Sequence, residues 1–168
     1  MARTLAGVML GFPPTTHTNL LTALAVWVQT RKLWEVQPIW HEVPGTATPP
    51  QRYAEAVARL RPTLIATLNQ RPTPFQIWRR ALSDHSLGGV PVAAGRPVIA
   101  SLGSATQQDP QRHHLIFGGD CADPNGRPTH ACPGYGMAMG VMLGVIAAVM
   151  DAGVMRFTGA PTVVALGV

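Results

Sequence analysis

The chain has 168 residues, of which 12% are charged, about half the share of roughly 25% found in ordinary soluble domains. Its length suits one domain with a real core, and neither an internal repeat nor a linker is evident, so residues 1–168 are expected to form a single domain. The scarcity of charged residues predicts that much of the protein surface is covered by another molecule or chain rather than by solvent. The net charge of +5, spread without any basic run, argues against a nucleic-acid partner.

Arginine supplies almost all of the positive charge. Lys32 is the only lysine, and the other twelve basic residues are arginines. A guanidinium group binds a carboxylate through two hydrogen bonds at once, so scattered arginines suit an acidic ligand better than a nucleic acid. A GC-rich genome explains the same bias equally well.

Two cysteines, Cys121 and Cys132, fall in a loop-like stretch. The opening segment has one arginine and a short apolar run, as a secretory signal does, but Pro13 and Pro14 follow and no small-x-small cleavage site is evident. We therefore expect a cytoplasmic protein with reduced thiols rather than a disulfide framework.

The beginning of the chain is patterned as helix. Apolar residues at helical spacing predict helices over residues 3–12 and 17–34. Between them, the pair Pro13-Pro14 predicts a kink or a break, because proline lacks the amide hydrogen and clashes with the preceding turn. Thr15 and Thr16 would then cap the second helix.

The next segment is interpreted as a connector, because residues 35–50 are rich in Pro, Gly and Thr. A third helix is expected to begin near Pro50, and a fourth at Pro62, running through Leu68.

From residue 76 onward the pattern favours short strands. Runs over residues 76–78, 90–92 and 97–102 are separated by Gly88-Gly89 and Ala94-Gly95, which predicts a small hairpin sheet. Residues 105–130 are interpreted as loop.

A long apolar helix is predicted from Pro133 to Met150, ended by Asp151 and Gly153, with a short extended tail from Arg156 onward. Its glycines repeat every four residues, as in helices that approach one another closely in membranes. A span needs about 20 apolar residues. Because the apolar run from Met137 to Met150 is shorter than that, we expect a buried helix and no membrane span.

Cys132 directly precedes this predicted helix, and we expect it within one residue of the helix start. The unpaired N–H groups and the partial positive charge at a helix N-terminus stabilise a thiolate. Pro133 suits a first helical turn, and Gly134 lets a flat partner approach the backbone. A thiolate in such a position can bind iron.

The order Phe117-Gly118, Gly119, His130-x-Cys132-x-Gly134 and Met137-Ala138 resembles the haem-binding loop of cytochromes P-450. The flanks are similar to the same family. Residues 79–95 look like its strand pair after the K helix, residues 98–110 like the following strand and loop, and the first 34 residues like its long distal helix. The resemblance implies a mainly α fold with a small β-sheet, equivalent to the C-terminal, haem-binding portion of the cytochrome P-450 architecture.

The resemblance also implies the site. The cofactor would be haem b, iron protoporphyrin IX, with Cys132 as the axial iron ligand. His130 and Arg79 would contact its propionates, and Phe117 would pack beside the sulfur. The proximal face would be lined by Gly134 and Ala138. Either Thr15 or Thr16 would match the distal hydroxyl group that assists proton delivery in the monooxygenases.

Several landmarks of the family are displaced or absent. Phe117 and Cys132 are 15 positions apart, about eight more than in the usual loop, an insertion that a loop tolerates if its ends stay in place. The Glu-x-x-Arg of the K helix falls on Ala66 to Asn69, where both charges are missing. The distal acid falls on Pro13 or Pro14, and Arg112 is the one candidate for the arginine of the meander loop.

The half of the family fold that precedes the distal helix has no counterpart here. We therefore expect a partial domain that is truncated, divergent or half of a split protein. Its partners would be a missing N-terminal half or a redox partner, together with a small hydrophobic substrate.

The expected activity is haem-thiolate oxidoreduction, as a monooxygenase or a peroxide-driven oxygenase. With the distal acid lost, peroxide use, or isomerase or dehydratase chemistry on a lipid hydroperoxide, needs less proton delivery. The alternative is a non-catalytic remnant or partner-binding half without haem. A zinc site from Cys121, Cys132, His130 and His113 or His114 is a further alternative, although the spacing lacks a Cys-x-x-Cys pair.

Overall fold

In the part of the chain that the structure describes, four helices come first, four short strands follow, and two further helices come last. The computed structural model of the protein describes residues 2–108, 116–119, 121 and 131–153, without the side chains of residues 2–12. Within these ranges the elements are α1 (Ala2–Gln29), α2 (Lys32–His41), α3 (Pro49–Arg59), α4 (Arg61–Gln70), β1 (Gln76–Arg80), β2 (His85–Leu87), β3 (Val90–Val92), β4 (Pro97–Ser101), α5 (Leu102–Gln108) and α6 (Tyr135–Asp151).

The first helix is continuous, so of the predicted kink or break at Pro13-Pro14 the break is wrong. Both prolines lie inside α1, and both are exposed. Each removes one backbone hydrogen bond, and proline in a helix interior costs about 3 kcal/mol. The last three turns of α1 bury Ala23 and Trp27 completely, and this packing holds the helix together despite its prolines. Because Thr15 and Thr16 are also inside the helix, they do not cap it.

The predicted connector over residues 35–50 is also wrong in its first half. Arg31 adopts a left-handed conformation with φ 62° and turns the chain, and α2 begins at the next residue. Leu33, Val36 and Trp40 recur at helical spacing and are buried, so the apolar stripe decides the structure in spite of Pro38.

The third and fourth helices begin close to where the sequence predicted. Thr48 and Gln51 form a capping box at the start of α3, and Pro49 occupies its first turn. Leu60 joins the two helices and is fully buried. Pro62 lies in the first turn of α4, which runs to Gln70, two residues further than predicted.

The predicted hairpin sheet is present as two separate ribbons. β2 and β3 pair antiparallel around Gly88 and Gly89, whose φ values of 57° and 83° suit a two-residue hairpin turn. β1 pairs antiparallel with β4, with Arg79 opposite Val98. The start of the predicted loop over residues 105–130 belongs instead to α5, where Thr106 is buried and donates to the Asn69 carbonyl oxygen at 2.9 Å.

The core lies around α6, which packs against α1, α2 and α3. The face of α6 toward them buries Met142, Leu143, Ile146 and Met150 almost completely. The helix ends at Asp151, as predicted, and starts two residues later than Pro133. Among the described residues, no helix is long and apolar enough to cross a bilayer.

Candidate functional site

Cys132 lies in a turn just ahead of α6. Its backbone N–H donates to the carbonyl oxygen of Phe117 at 2.8 Å, and its own carbonyl accepts from the N–H of Tyr135 at 3.3 Å. The expectation that Cys132 lies within one residue of the helix start is wrong. Pro133 and Gly134 form a turn, Gly134 is the N-cap with φ −89° and ψ 3°, and the first helical residue is Tyr135. Because the helix field falls off within a turn, the cysteine receives less of it than predicted.

An aromatic pair stands beside the cysteine turn. The rings of Phe117 and Tyr135 meet edge to face with centroids 4.8 Å apart. The guanidinium of Arg61, on α4, donates to the Tyr135 hydroxyl at 2.6 Å and lies 5.9 Å from its ring centroid. The sequence analysis missed Arg61, since nothing in a local pattern connects residues 74 positions apart.

Cys121 is part of the same turn. Its thiol donates to the carbonyl oxygens of Gly119 at 3.5 Å and Phe117 at 3.7 Å, and its sulfur lies 3.9 Å from the carbonyl oxygen of Cys132. Both cysteines are half-buried. The carbonyl group of Phe117 therefore accepts hydrogen bonds from both cysteines.

The other predicted proximal residues are placed as follows. Gly134 and Ala138 are half-buried at the start of α6, where the N–H of Ala138 donates to the Gly134 carbonyl at 2.8 Å. Arg79 is exposed on β1, and its guanidinium donates to the Trp78 carbonyl at 2.9 Å. His130 and Arg112 lie outside the described residues.

On α1, Thr16 is 7% exposed and Thr15 is half-buried. One turn further along, Asn19 donates to the Thr73 carbonyl at 3.0 Å and accepts from the Thr73 N–H at 3.2 Å. This two-way pairing fixes α1 against the segment that leads into β1. The sequence analysis did not identify Asn19, because its partner is distant in sequence.

Comparison with solved structures gives the fold. Of the 45 chains that match, one is a zebrafish cytochrome P450 in a structure with progesterone, at a TM-score of 0.62 and 23% identity over 86% of the present chain. The chain has a cytochrome P450-like fold. It spans 36% of the length of that zebrafish protein. No protein-family model and no curated protein sequence matches it.

Residues 66–69 of α4, where the resemblance predicted the Glu-x-x-Arg of the K helix, contain no charged side chain. Ala66 is exposed, and the buried side-chain oxygen of Asn69 has no hydrogen-bond partner among the described residues. Between these two positions, the buried Thr67 hydroxyl accepts from the indole N–H of Trp27 at 2.7 Å. A hydrogen bond between two uncharged side chains thus links α4 to α1.

A groove of about 570 Å³ lies beside this segment, between α3, α4 and α5. Ala66, Asn69 and Thr106 are among its lining residues. The short side chain of Ala66 leaves space in this groove.

The far end of α6 carries the clearest electrostatic interaction of the described chain. Asp151 accepts from the Trp40 indole N–H at 2.8 Å and from the guanidinium of Arg52. Desolvation by burial acts to raise the pKa of Asp151, but these two hydrogen bonds, with the charges of Arg52 and His41, outweigh it and hold the pKa below its ordinary value. The Asp151–Arg52 ion pair lies at the surface, at the end of α6 opposite the cysteine turn.

The chemistry of the cysteine turn fits a haem better than a hard metal ion. It offers cysteine sulfur as a soft ligand, an aromatic edge and a small residue, Gly134, where a flat ring could approach. Among the described residues, no three His, Cys, Asp or Glu side chains cluster as metal ligands do. The histidines of the zinc alternative, His113, His114 and His130, are outside that part of the chain.

Proposed function

We propose that the chain is the haem-binding portion of a haem-thiolate oxidoreductase, with Cys132 as the axial ligand of haem b. The observation that carries the proposal is the position of Cys132. In a P450-like fold, it is half-buried in a turn directly before the long apolar helix α6, with Phe117 beside it. The sequence pattern from Phe117 to Ala138 supports the same assignment.

In this proposal the residues of the cysteine turn have separate roles. Cys132 supplies the thiolate, and the Phe117 ring, fixed by Tyr135 at 4.8 Å, excludes water from one side of the sulfur. Gly134 and Ala138 form a surface with little side-chain bulk on the proximal face of the haem. His130 and Arg79 are proposed to pair with the propionates, which needs the Arg79 side chain to leave the Trp78 carbonyl.

On the distal side, the proposal assigns Thr15 or Thr16 as the hydroxyl group near the reacting substrate. The haem, when bound, supplies the redox chemistry. Pro13 and Pro14 precede these threonines, and neither can hold or release a proton. A hydroxyl without a neighbouring acid delivers protons poorly, so the proposal favours peroxide over dioxygen as the oxidant. The substrate is proposed to be small and hydrophobic, and the compartment to be the cytoplasm.

The test is a spectrum with matched variants. The chain is loaded with haem, reduced and exposed to carbon monoxide in a buffer containing dithiothreitol. The red-shifted Soret band of a thiolate-ligated iron is expected for the wild type and for Cys121→Ser, and its loss is expected for Cys132→Ser. Equal loss in both serine variants would exclude Cys132 as the sole ligand, and metal analysis would then test for zinc.

The haem is expected to bind more weakly than in a complete P450. The charged brace of the family is replaced here by Ala66 and Asn69, and a loosely supported site binds its cofactor poorly. Haem titration of the isolated chain, compared with a full-length P450, measures this difference.

A second candidate function is supported by the exposed side of α6. Met137, Val141 and Val145 lie on one face of this helix and are 62%, 45% and 40% exposed. Contiguous apolar surface of this kind usually marks an interface. A non-catalytic, partner-binding role would leave Cys132 unligated, and the absence of the thiolate band under all loading conditions would favour it. For the enzyme, the same face is proposed to receive a complementary half or a redox partner.

A further inference from the structure

The two cysteines are brought together by a single carbonyl group. The N–H of Cys132 and the thiol of Cys121 both point to the carbonyl oxygen of Phe117, at 2.8 Å and 3.7 Å. The sulfur of Cys121 is also 3.9 Å from the carbonyl oxygen of Cys132, although the two residues are 11 positions apart. The side chain of Cys121 therefore lies over the backbone of Cys132.

This contact sets an upper limit on the distance between the Cys121 sulfur and the Cys132 side chain. Bond lengths keep the Cβ atom of a residue within roughly 3.5 Å of its own carbonyl oxygen, so the Cys121 sulfur lies within roughly 7.5 Å of the Cys132 Cβ atom. In a disulfide, the sulfur of one cysteine lies about 3 Å from the Cβ atom of the other. Forming the bridge therefore requires these two atoms to approach each other by at most roughly 4.5 Å, through side-chain rotation and movement of the turn. Both residues are half-buried rather than fully enclosed, so we expect an oxidant as small as hydrogen peroxide to reach them.

We propose that Cys121 and Cys132 form a reversible disulfide in the presence of a peroxide, and that this bond blocks haem ligation. The disulfide itself depends only on the contact between the two residues. Its consequence for haem rests on the proposed role of Cys132 as iron ligand. Cys121 is then the resolving cysteine of a modification site, and reduction returns the turn to its haem-binding state.

The reaction balances with one peroxide. The Cys132 thiolate attacks one oxygen of hydrogen peroxide, forming a sulfenic acid and releasing hydroxide. The Cys121 sulfur then attacks the sulfenic sulfur, and the S–O bond breaks as the S–S bond forms. Each step expels one hydroxide, and the two hydroxides take up the two thiol protons and leave as two waters. Overall, two thiols lose two hydrogens and one peroxide yields two waters.

The first experiment counts thiols in the full chain without haem. Dilute protein is treated with hydrogen peroxide, freed of peroxide by desalting, and labelled with N-ethylmaleimide under denaturing conditions. Untreated protein is expected to take two labels, and oxidised protein none. Dithiothreitol is expected to restore both labels, and peptide mapping of the oxidised chain should join residues 121 and 132 within one molecule.

Three results would overturn the disulfide. Two labels after peroxide treatment would show that the thiols do not react. Labels that dithiothreitol does not restore would indicate irreversible oxidation instead. Disulfides found only between separate chains, on a non-reducing gel, would show that the contact between Cys121 and Cys132 does not lead to a disulfide within one chain. Cys121→Ser and Cys132→Ser, which retain one thiol each, are the controls and should give no bridge within the chain.

The second experiment adds haem to the same samples after the peroxide has been removed. The oxidised wild type is expected to lack the thiolate-type Soret band in the reduced carbon monoxide complex, and dithiothreitol to restore it. A band that survives in fully bridged protein would overturn the switch and leave the ligand assignment intact. No band in any sample would overturn the haem proposal, while the labelling result decides the disulfide by itself.

Discussion

At the scale of single residues, the Thr67 hydroxyl connects two helices through the core. It accepts from the Trp27 indole and donates to the Thr63 carbonyl at 2.9 Å. Trp27 is fully buried, so its N–H group has no access to water if this partner is lost. The sequence shows a threonine at this position, but it does not show that the threonine faces a tryptophan 40 positions away.

Thr67→Val keeps the shape of the side chain and removes the hydroxyl. We expect the free energy of unfolding to fall by about 1–3 kcal/mol, the cost of an unsatisfied buried donor. Thr30→Val is the matched control, because Thr30 donates to a carbonyl in the same way but is exposed, and we expect a change within about 0.5 kcal/mol. Urea unfolding measures both. Equal effects of the two substitutions would show that the indole contact contributes nothing.

Asp151 gives a prediction for acid stability. Its pKa is lowered in the fold, so its contribution to stability is complete above its ordinary value of about 4 and is lost as the pH falls through the lowered folded value. We expect Asp151→Asn to be less stable than the wild type at neutral pH, and the difference to shrink below about pH 4. Unfolding free energies between neutral and acid pH test this. A difference that is constant over the whole range would contradict it.

At the scale of elements, α6 has glycines on its exposed side and a glycine at its end, and these serve different purposes. Added Cβ atoms on Gly136, Gly140 and Gly144 would meet nothing within 4 Å. Gly153 follows the last turn with φ 126°, and its carbonyl accepts from Gln37 at 2.7 Å. Only the last position requires glycine for its backbone conformation.

Gly144→Ala and Gly153→Ala should therefore change stability in opposite directions. The first removes backbone freedom from the unfolded chain at an exposed helical position, and we expect a gain of about 0.5–1 kcal/mol. The second places a Cβ atom at positive φ, and we expect a loss of about 1–3 kcal/mol. Thermal or urea unfolding of the pair tests the prediction. A loss at Gly144 would mean that something packs on this face.

At the scale of the whole molecule, the exposed apolar face of α6 is the feature least suited to an isolated chain. Val141 lies at its middle, between Met137 and Val145, and all three are more than one-third exposed. The low charge fraction of the sequence predicted a surface of this kind. Only the fold shows which face it is, because the opposite side of the same helix is equally apolar and is buried.

The isolated wild-type chain should self-associate through this face. Val141→Lys should shift the protein toward monomer, since a charge on an apolar contact must be desolvated for association to occur. Leu82→Lys is the matched control, because Leu82 is 95% exposed but lies between β1 and β2. Sedimentation velocity over a range of concentrations measures the effect. The prediction would be contradicted if the wild-type chain stayed monomeric and held one haem per chain, since its apolar face would then need no partner.

The sequence by itself determined the start of α3, the hairpin at Gly88-Gly89 and the apolar helix after Cys132. In each case the deciding interaction is local: a capping box, a glycine pair at positive φ, or an uncharged run at helical spacing. The pattern from Phe117 to Ala138 likewise predicted a P450-like fold, which the solved structures support.

Only the tertiary structure decided the rest. α1 continues through Pro13-Pro14, because burial of residues such as Ala23 and Trp27 outweighs the local cost of proline. The turn around Cys132 extends two residues further than its motif suggests, and Cys121 enters it through hydrogen bonds to the backbone. These outcomes depend on contacts between segments that are far apart in the chain or on the balance between local strain and burial, and a local sequence pattern contains neither.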